Sequence, residues 1–290
     1  MRFTLAVVVL ASQSNVAMPA IHRVDGTAWT RRWAALRRQR SIARDEAKGR
    51  KSSRDGADRR RVRVSAPMPP RREVHHAEAL AWLRARGRLD GCSVVTSLPD
   101  VVEMGGMSLG AWTDWFGEAA GVVLGAVPED GVAVFFQSDV KRGSLWIDKG
   151  ALVQRAADRA GTQLLFHKIV CRKPAGTVTF GRASYSHLLA YSRGVHPRPG
   201  QATADVLPDG GFQVGAKSMG VAACLDACRF VARETTTSTV VDPFCGYGTV
   251  LAVANAIGLD AVGVDLSTRM VRRARALTID VGASRPARRR

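Results

Sequence analysis

The run Thr239-Val240-Val241-Asp242-Pro243-Phe244-Cys245-Gly246-Tyr247-Gly248-Thr249 is the stretch of this chain best equipped for chemistry. It reads as a β-branched strand, a glycine-bearing turn and the start of a helix. Ala261-Val262-Gly263-Val264-Asp265 follows as a second strand that ends in an acid. Glycines let a turn's backbone approach a ligand closely, and an acid at the end of the next strand can accept both hydroxyls of a ribose. Two spaced glycines are a weak signal alone. The frame Asp-Pro-Phe-x-Gly-x-Gly-Thr, with an acid 23 residues after Asp242, is far more specific. It lacks the third glycine of a dinucleotide fingerprint and the Gly-Lys-Ser/Thr of a P-loop.

A second polar frame lies far upstream. Val94-Val95-Thr96 is a strand, and Ser97-Leu98-Pro99-Asp100 ends it with an acceptor hydroxyl, a proline and a carboxylate. A group there can hold a substrate by hydrogen bonds, or take its proton. Further polar candidates are Asp139 and Lys141, which follow the apolar run Gly131–Phe136, together with Asp148-Lys149, Lys168, Arg172 and Arg182. In a parallel sheet the strand ends on one side gather at one edge, which makes Asp139, Lys141, Lys168 and Arg182 candidate substrate contacts.

The frame at 242–249 resembles the cofactor motif of class I S-adenosylmethionine-dependent methyltransferases. In particular it is similar to that of the amino-methyltransferase group of N4-cytosine and N6-adenine DNA methylases. The resemblance spans about residues 73–280 and implies S-adenosylmethionine as cofactor. It implies that Asp242, Phe244, Gly246 and Gly248 line the methionine part and that Asp265 holds the ribose. Ala77-Glu78-Ala79-Leu80 is similar to a further family stretch, which implies that Glu78 approaches the adenine. Lys217-Ser218-Met219 falls where a methionine-contacting helix begins, which brings Ser218 to the cofactor.

In that group the catalytic motif precedes the cofactor motif, and here Ser97–Asp100 precedes Asp242, so the resemblance implies a circularly permuted chain. It assigns the catalytic motif to Ser97, Pro99 and Asp100. Ser97 keeps the acceptor and Pro99 keeps the turn, but Leu98 stands for a proline and Asp100 for the stacking aromatic. Asp100 can accept from an amine, pair with a guanine edge or act as a base; it is also an ordinary turn or helix N-cap residue. Trp112, Trp115, Phe180 and Tyr185 are candidates to supply the missing stack, each equally at home in a core. Methylation at a pyrimidine C5 is disfavoured, since Ser97–Asp100 offers no cysteine nucleophile.

The elements that must position these residues alternate. Strands are expected at 93–96, 131–136, 164–171, 187–191, 239–241 and 261–264, and helices at 109–124, 149–160, 221–232, 249–257 and 269–277. That alternation predicts an α/β, Rossmann-like class I methyltransferase fold with a mainly parallel sheet. The stretch 194–216, rich in Pro and Gly, is too short for a recognition domain with its own core. This favours structured RNA over a defined DNA sequence as substrate, or a protein partner for recognition.

The chain has 290 residues and a net charge of +18, unevenly placed. Residues 1–72 carry 18 Lys+Arg against 5 Asp+Glu, and four arginines lie in 285–290, so 73–284 is close to neutral. The division expected is a disordered basic extension over 1–72, a methyltransferase domain over 73–284 and a basic tail over 285–290. The extension reads as an organelle transit segment, a nuclear localisation run, a phosphate-binding arm or a solvated tail. An intracellular protein follows, in a mitochondrion, plastid, nucleus or the cytoplasm. No apolar run reaches the roughly 18–20 residues of a membrane span. Five cysteines with no Cys-x-x-Cys pair argue against a disulfide scaffold and a structural zinc, so no metal ligand is assigned. The function expected is methylation of an exocyclic base amine in nucleic acid. The rivals are a non-catalytic subunit of the same fold that binds RNA, and a methyltransferase for a small molecule or protein.

Overall fold

The computed structural model describes residues 69–282 apart from 143 and 216. The basic extension up to residue 68 and the tail 285–290 lie outside the described residues. The order in the chain is β1 (Arg72–His76), α1 (Ala79–Arg86), β2 (Cys92–Thr96), α2 (Leu109–Ala126), β3 (Ala133–Gln137), the short strands β4 (Val140–Arg142) and β5 (Leu145–Ile147), and α3 (Lys149–Arg159). Then come β6 (Gln163–Cys171), β7 (Tyr185–Ser192), β8 (Val206–Leu207), α4 (Val221–Glu234), β9 (Thr239–Asp242), α5 (Thr249–Ala256), β10 (Asp260–Asp265) and α6 (Thr268–Ala276). Every strand and helix expected from the sequence is present within a few residues of its predicted limits. β1, α1, the β4–β5 hairpin and β8 were not anticipated.

Eight strands form one sheet in the order β1-β10-β9-β2-β3-β7-β6-β8. β1, β10, β9, β2 and β3 are mutually parallel, while β7 runs antiparallel to both β3 and β6. The run of β-branched and aliphatic residues in each central strand is explained by burial on both faces. Successive side chains feed opposite cores: Val95, Val134, Leu188 and Val240 pack with α4, α5 and α6, whereas Val94, Phe135, Leu189 and Val241 pack with α1, α2 and α3. The result is a three-layer α/β/α unit.

The helices start where short polar side chains can take their unpaired N–H groups. Ser108 accepts from Ala111 N at 3.2 Å, and Asp148 from Ala151 N at 2.8 Å. Two arginines that composition assigns to the extension belong to the fold. Arg71 donates from its backbone N to Asp260 Oδ1 at 2.7 Å, and the Arg72 guanidinium bonds Asn255 Oδ1 at 2.7 Å and the Ala274 carbonyl at 3.0 Å. These bonds tie β1 to the edge of the sheet.

Candidate active site

β9 and β2 are neighbours at the centre of the sheet, yet the helices that leave them go to opposite faces. α5 follows β9 into one core, and α2 follows β2 into the other. In an open α/β sheet such a divergence leaves a crevice at the carboxyl ends of the two strands. Asp242 ends β9, Thr96 ends β2, and Ser97 follows it. The two polar frames of the sequence therefore meet there. Thr96 Oγ1 donates to Asp242 Oδ1 at 2.7 Å, a fully buried bond between residues 146 apart. Phe244 N donates to the same oxygen at 3.2 Å. Burial pushes the Asp242 carboxyl up to about 7, the nearby Asp265 charge adds to this, and the bonds from Thr96 and Phe244 oppose it.

The glycine turn is built to stay open. Gly246 and Gly248 have φ of +48° and +80°, backbone that side chains rarely adopt. A Cβ on Gly248 would stand 2.7 Å from Ala274 Cα, so that glycine also lets α6 pack close. A Cβ on Gly246 would meet nothing within 4 Å, so its outer face is free for a ligand. Asp265 pins the turn: its Oδ2 accepts from Gly246 N at 2.9 Å and its Oδ1 from Ser267 N at 2.7 Å. Glu78 lies on the same edge, since Ala77 N donates to the Asp265 carbonyl at 3.2 Å. Its carboxylate caps α1 through Leu80 N and Ala81 N, at 3.0 and 2.6 Å. Ser218 sits in a tight turn, its hydroxyl donating to the Gly215 carbonyl at 2.8 Å, and Gly215 packs against the Tyr247 ring of the glycine turn. Glu78, Ser218, Asp242, Phe244, Gly246, Gly248 and Asp265 thus occupy one connected edge.

The surroundings of the Ser97–Asp100 frame are assembled differently. Asp100 is 3 % exposed and lies between two cations, with Lys149 Nζ at 3.2 Å and Arg182 at 2.9 Å from its Oδ2. Neither contact has the alignment of a hydrogen bond, and Oδ1 has no donor among the described residues. Lys149 is 2 % exposed, and burial lowers its amine while the Asp100 charge holds it up. Pro99 offers its carbonyl to Trp112 Nε1 at 3.2 Å, which fixes the turn after Ser97. A cavity of about 510 Å³ opens beside this motif. Its lining includes Asp100, Lys141, Arg172, Phe180 and Arg182, and takes nothing from the glycine turn.

Sequence reasoning set Asp139 and Lys168 among the substrate contacts, and the structure places both elsewhere. Asp139 is buried beneath the β4–β5 hairpin, accepting from His187 and from Trp146 Nε1 at 3.0 Å and from Lys149 N at 2.9 Å. His187 passes the chain on to His167, 2.9 Å away. Asp139, Asp148 and His187 come within metal-ligating distance of one another. Asp139 already accepts from three donors, and Asp148 caps α3 with the oxygen that faces His187. Lys168 is buried against α4 and paired with Asp226 at 2.9 Å, because a lone amine inside the fold needs a counter-charge. Thr96 and His187 were missed, and Lys149 was named only among the further polar candidates. A polar residue closing an otherwise apolar strand was the available signal for Thr96.

No protein-family model matches this chain, and no curated protein does. Solved structures do. A "Putative DNA Modification Methylase" of Thermus thermophilus is similar over 71 % of this chain and 92 % of its own, with 21 % identity and a TM-score of 0.55. The same protein complexed with S-adenosyl-L-methionine matches at 20 % identity and 0.55, over 70 % of this chain and 91 % of that one. PvuII DNA methyltransferase, cytosine-N4-specific, matches at 16 % identity and 0.57, over 74 % and 89 %. The fold is that of the class I S-adenosylmethionine-dependent methyltransferases.

Proposed function

We propose that this protein is an S-adenosylmethionine-dependent methyltransferase that modifies an exocyclic amine of a base in nucleic acid. The observation that carries the reading is the buried Thr96–Asp242 bond, which brings the Ser97 motif and the glycine turn to one crevice. Solved neighbours with the same fold are DNA methylases by name, and one is a complex with the cofactor. They lean toward DNA and give no support to the RNA preference drawn from the missing recognition domain. The late place of β9 in the chain is read as a circular permutation, with the Ser97 strand ahead of the cofactor strand.

The residues present suit the cofactor. The outer face of Gly246 is clear, Asp242 puts a carboxyl beside it, and Glu78 and Asp265 share the adjoining edge. In this reading Asp242 faces the cofactor's ammonium, Phe244, Gly246, Gly248 and Ser218 border its methionine part, Asp265 takes the ribose hydroxyls and Glu78 lies toward the adenine. When bound, S-adenosylmethionine supplies a methyl group on a positively charged sulfur. The chain's own part is positioning, which can supply much of the rate of an in-line displacement. Ser97 is half-buried at the strand end and accepts one amine hydrogen, which turns the nitrogen lone pair toward the crevice. Pro99, held through its carbonyl by Trp112, keeps that hydroxyl in place. Among the described residues no helix is long and apolar enough to cross a membrane.

The test is methyl transfer from labelled S-adenosylmethionine by the full chain, offered DNA, RNA and protein separately. Label recovered as an N-methylated nucleoside is the expected result. No label in any pool, with the cofactor still bound, would turn the reading to a non-catalytic subunit.

A further inference from the structure

The catalytic motif has a carboxylate where its relatives by resemblance stack an aromatic on the base, and the structure shows what the carboxylate does instead. Asp100 is turned inward and holds Arg182. Arg182 ends the loop that joins β6 to β7, and Phe180 stands two residues before it at 91 % exposure. A phenylalanine that exposed has left a large apolar ring in water with no partner from the fold. Phe180 and Asp100 line the same cavity. The other three candidates for the stack are committed: Trp112 is fully buried, Trp115 stands edge-on to Phe244, and Tyr185 stacks on Trp146.

The other charged residues of the lining are all basic, set among Val101, Val102 and Val140. Lys141 and Arg142 come from the β4–β5 hairpin, and Arg172 and Lys173 from the far end of the same loop. Lys141 Nζ donates to the Thr179 carbonyl at 3.0 Å and lies 4.6 Å above the Trp146 ring, so the hairpin and the loop hold one another. Asp100 is the single acid in this wall, buried behind it and paired with Arg182.

We propose that this cleft is the nucleotide-binding half of the site: Phe180 stacks on the target base, and Lys141, Arg142, Arg172 and Lys173 hold the flanking phosphates of a single-stranded segment. The proposal rests on the methyltransferase reading and gives its substrate side a shape. A loop-borne ring replaces the stack that the motif lost, and Asp100 anchors the loop that carries it.

The experiment uses the full chain and a fluorescein-labelled single-stranded DNA oligonucleotide read by anisotropy, with a free nucleoside monophosphate as a separate arm. Base–aromatic stacking is worth about 1–3 kcal/mol, so Phe180→Ala should weaken binding roughly 5- to 150-fold. It should leave the melting temperature and cofactor affinity unchanged, since the ring touches neither core nor glycine turn. Phe180→Trp should restore binding. Replacing Lys141 and Arg142 together by Ala should lower the slope of log affinity against log salt by about 1.4, against the background that the basic extension contributes. The monophosphate should bind far more weakly and show little of that salt dependence, since one phosphate engages a fraction of the wall; equal affinity for it would overturn the strand-binding claim. Unchanged oligonucleotide affinity in Phe180→Ala would overturn the stacking role, whatever the methyl transfer shows. Loss of oligonucleotide affinity in a protein that binds no cofactor would keep the cleft and sink the methyltransferase reading instead.

Discussion

The glycine turn and the basic cleft sit on the same sheet edge and are held by opposite means. Around the turn nearly every bond is local or spans neighbouring strands: Asp265 to Gly246 and Ser267, Phe244 to Asp242, Glu78 to its own helix. The cleft is held by charges that meet across the chain, Asp100 with Lys149 and Arg182, and Lys141 with the loop at Thr179. Backbone N–H groups fix a ligand's position at little entropic cost. Long side chains are costlier to order, and they suit a partner whose charge is spread along a strand. In the proposed reading the turn takes one small molecule and the cleft a polymer.

The comparison predicts where the two regions break. The largest effect belongs to Lys149→Ala. It removes a buried cation and leaves the Asp100 carboxylate with Arg182 alone, and breaking a buried pair costs about 3–5 kcal/mol. A fall in melting temperature of roughly 6–20 °C should follow, for a domain of this size. Combining Lys149→Met with Asp100→Asn should recover much of it, because no unpaired charge is then left inside. A double variant no more stable than the single one would mean that Asp100 does not depend on Lys149.

Asp265→Ala comes next and acts on the turn. It deletes the acceptor for two backbone donors and, in the proposed reading, for the ribose, so cofactor affinity should drop by about 1.5–3 kcal/mol in titration calorimetry. An unchanged affinity would remove Asp265 from the cofactor's surroundings. The two glycines should then separate structure from binding. Gly248→Ala drives a methyl into Ala274 in a left-handed conformation and should cost about 1–3 kcal/mol of stability. Gly246→Ala has room within the fold, so its stability loss should be smaller while its loss of cofactor affinity is the larger of the two. The reverse pattern would place the ligand elsewhere.

The same contrast governs what could be read from the sequence. The turn was legible because its chemistry is contiguous: Asp242 to Gly248 is one frame, and Asp265 closes the next strand. The central strands were legible because burial on both faces leaves continuous apolar runs such as Val132–Phe136. β1 was hidden inside a basic stretch, since Arg71 and Arg72 look like tail residues until Asp260 and Asn255 are brought beside them. The β4–β5 hairpin has three-residue strands with exposed Leu145 and Trp146, too short for an alternating pattern to register. Lys141 and Arg182 were singled out, but nothing local told Arg182 from Lys168. One anchors the cleft loop and the other pairs with Asp226 beneath the sheet, a difference made by tertiary contacts alone.

The smallest predicted effect is the most specific to the turn. Asp242 holds its proton up to about 7 because burial penalises the charge. A carboxyl with a raised folded value contributes stability that is present below its ordinary value near 4 and lost as the pH rises through about 7. The free protein should therefore weaken across that window, and Asp242→Asn, which keeps the acceptor for Thr96 and Phe244, should flatten the loss. A bound ammonium has the opposite preference, since it favours the ionised carboxylate and lowers its pKa. Cofactor binding should then release a proton, and affinity should rise roughly tenfold from pH 6 to 8 before levelling, about one pKa unit of linkage. In Asp242→Asn the slope should vanish. An affinity that stays flat across that range in the unaltered protein would show that the ammonium does not sit against Asp242, and the turn would have to hold the cofactor through Asp265 and the glycine backbone alone.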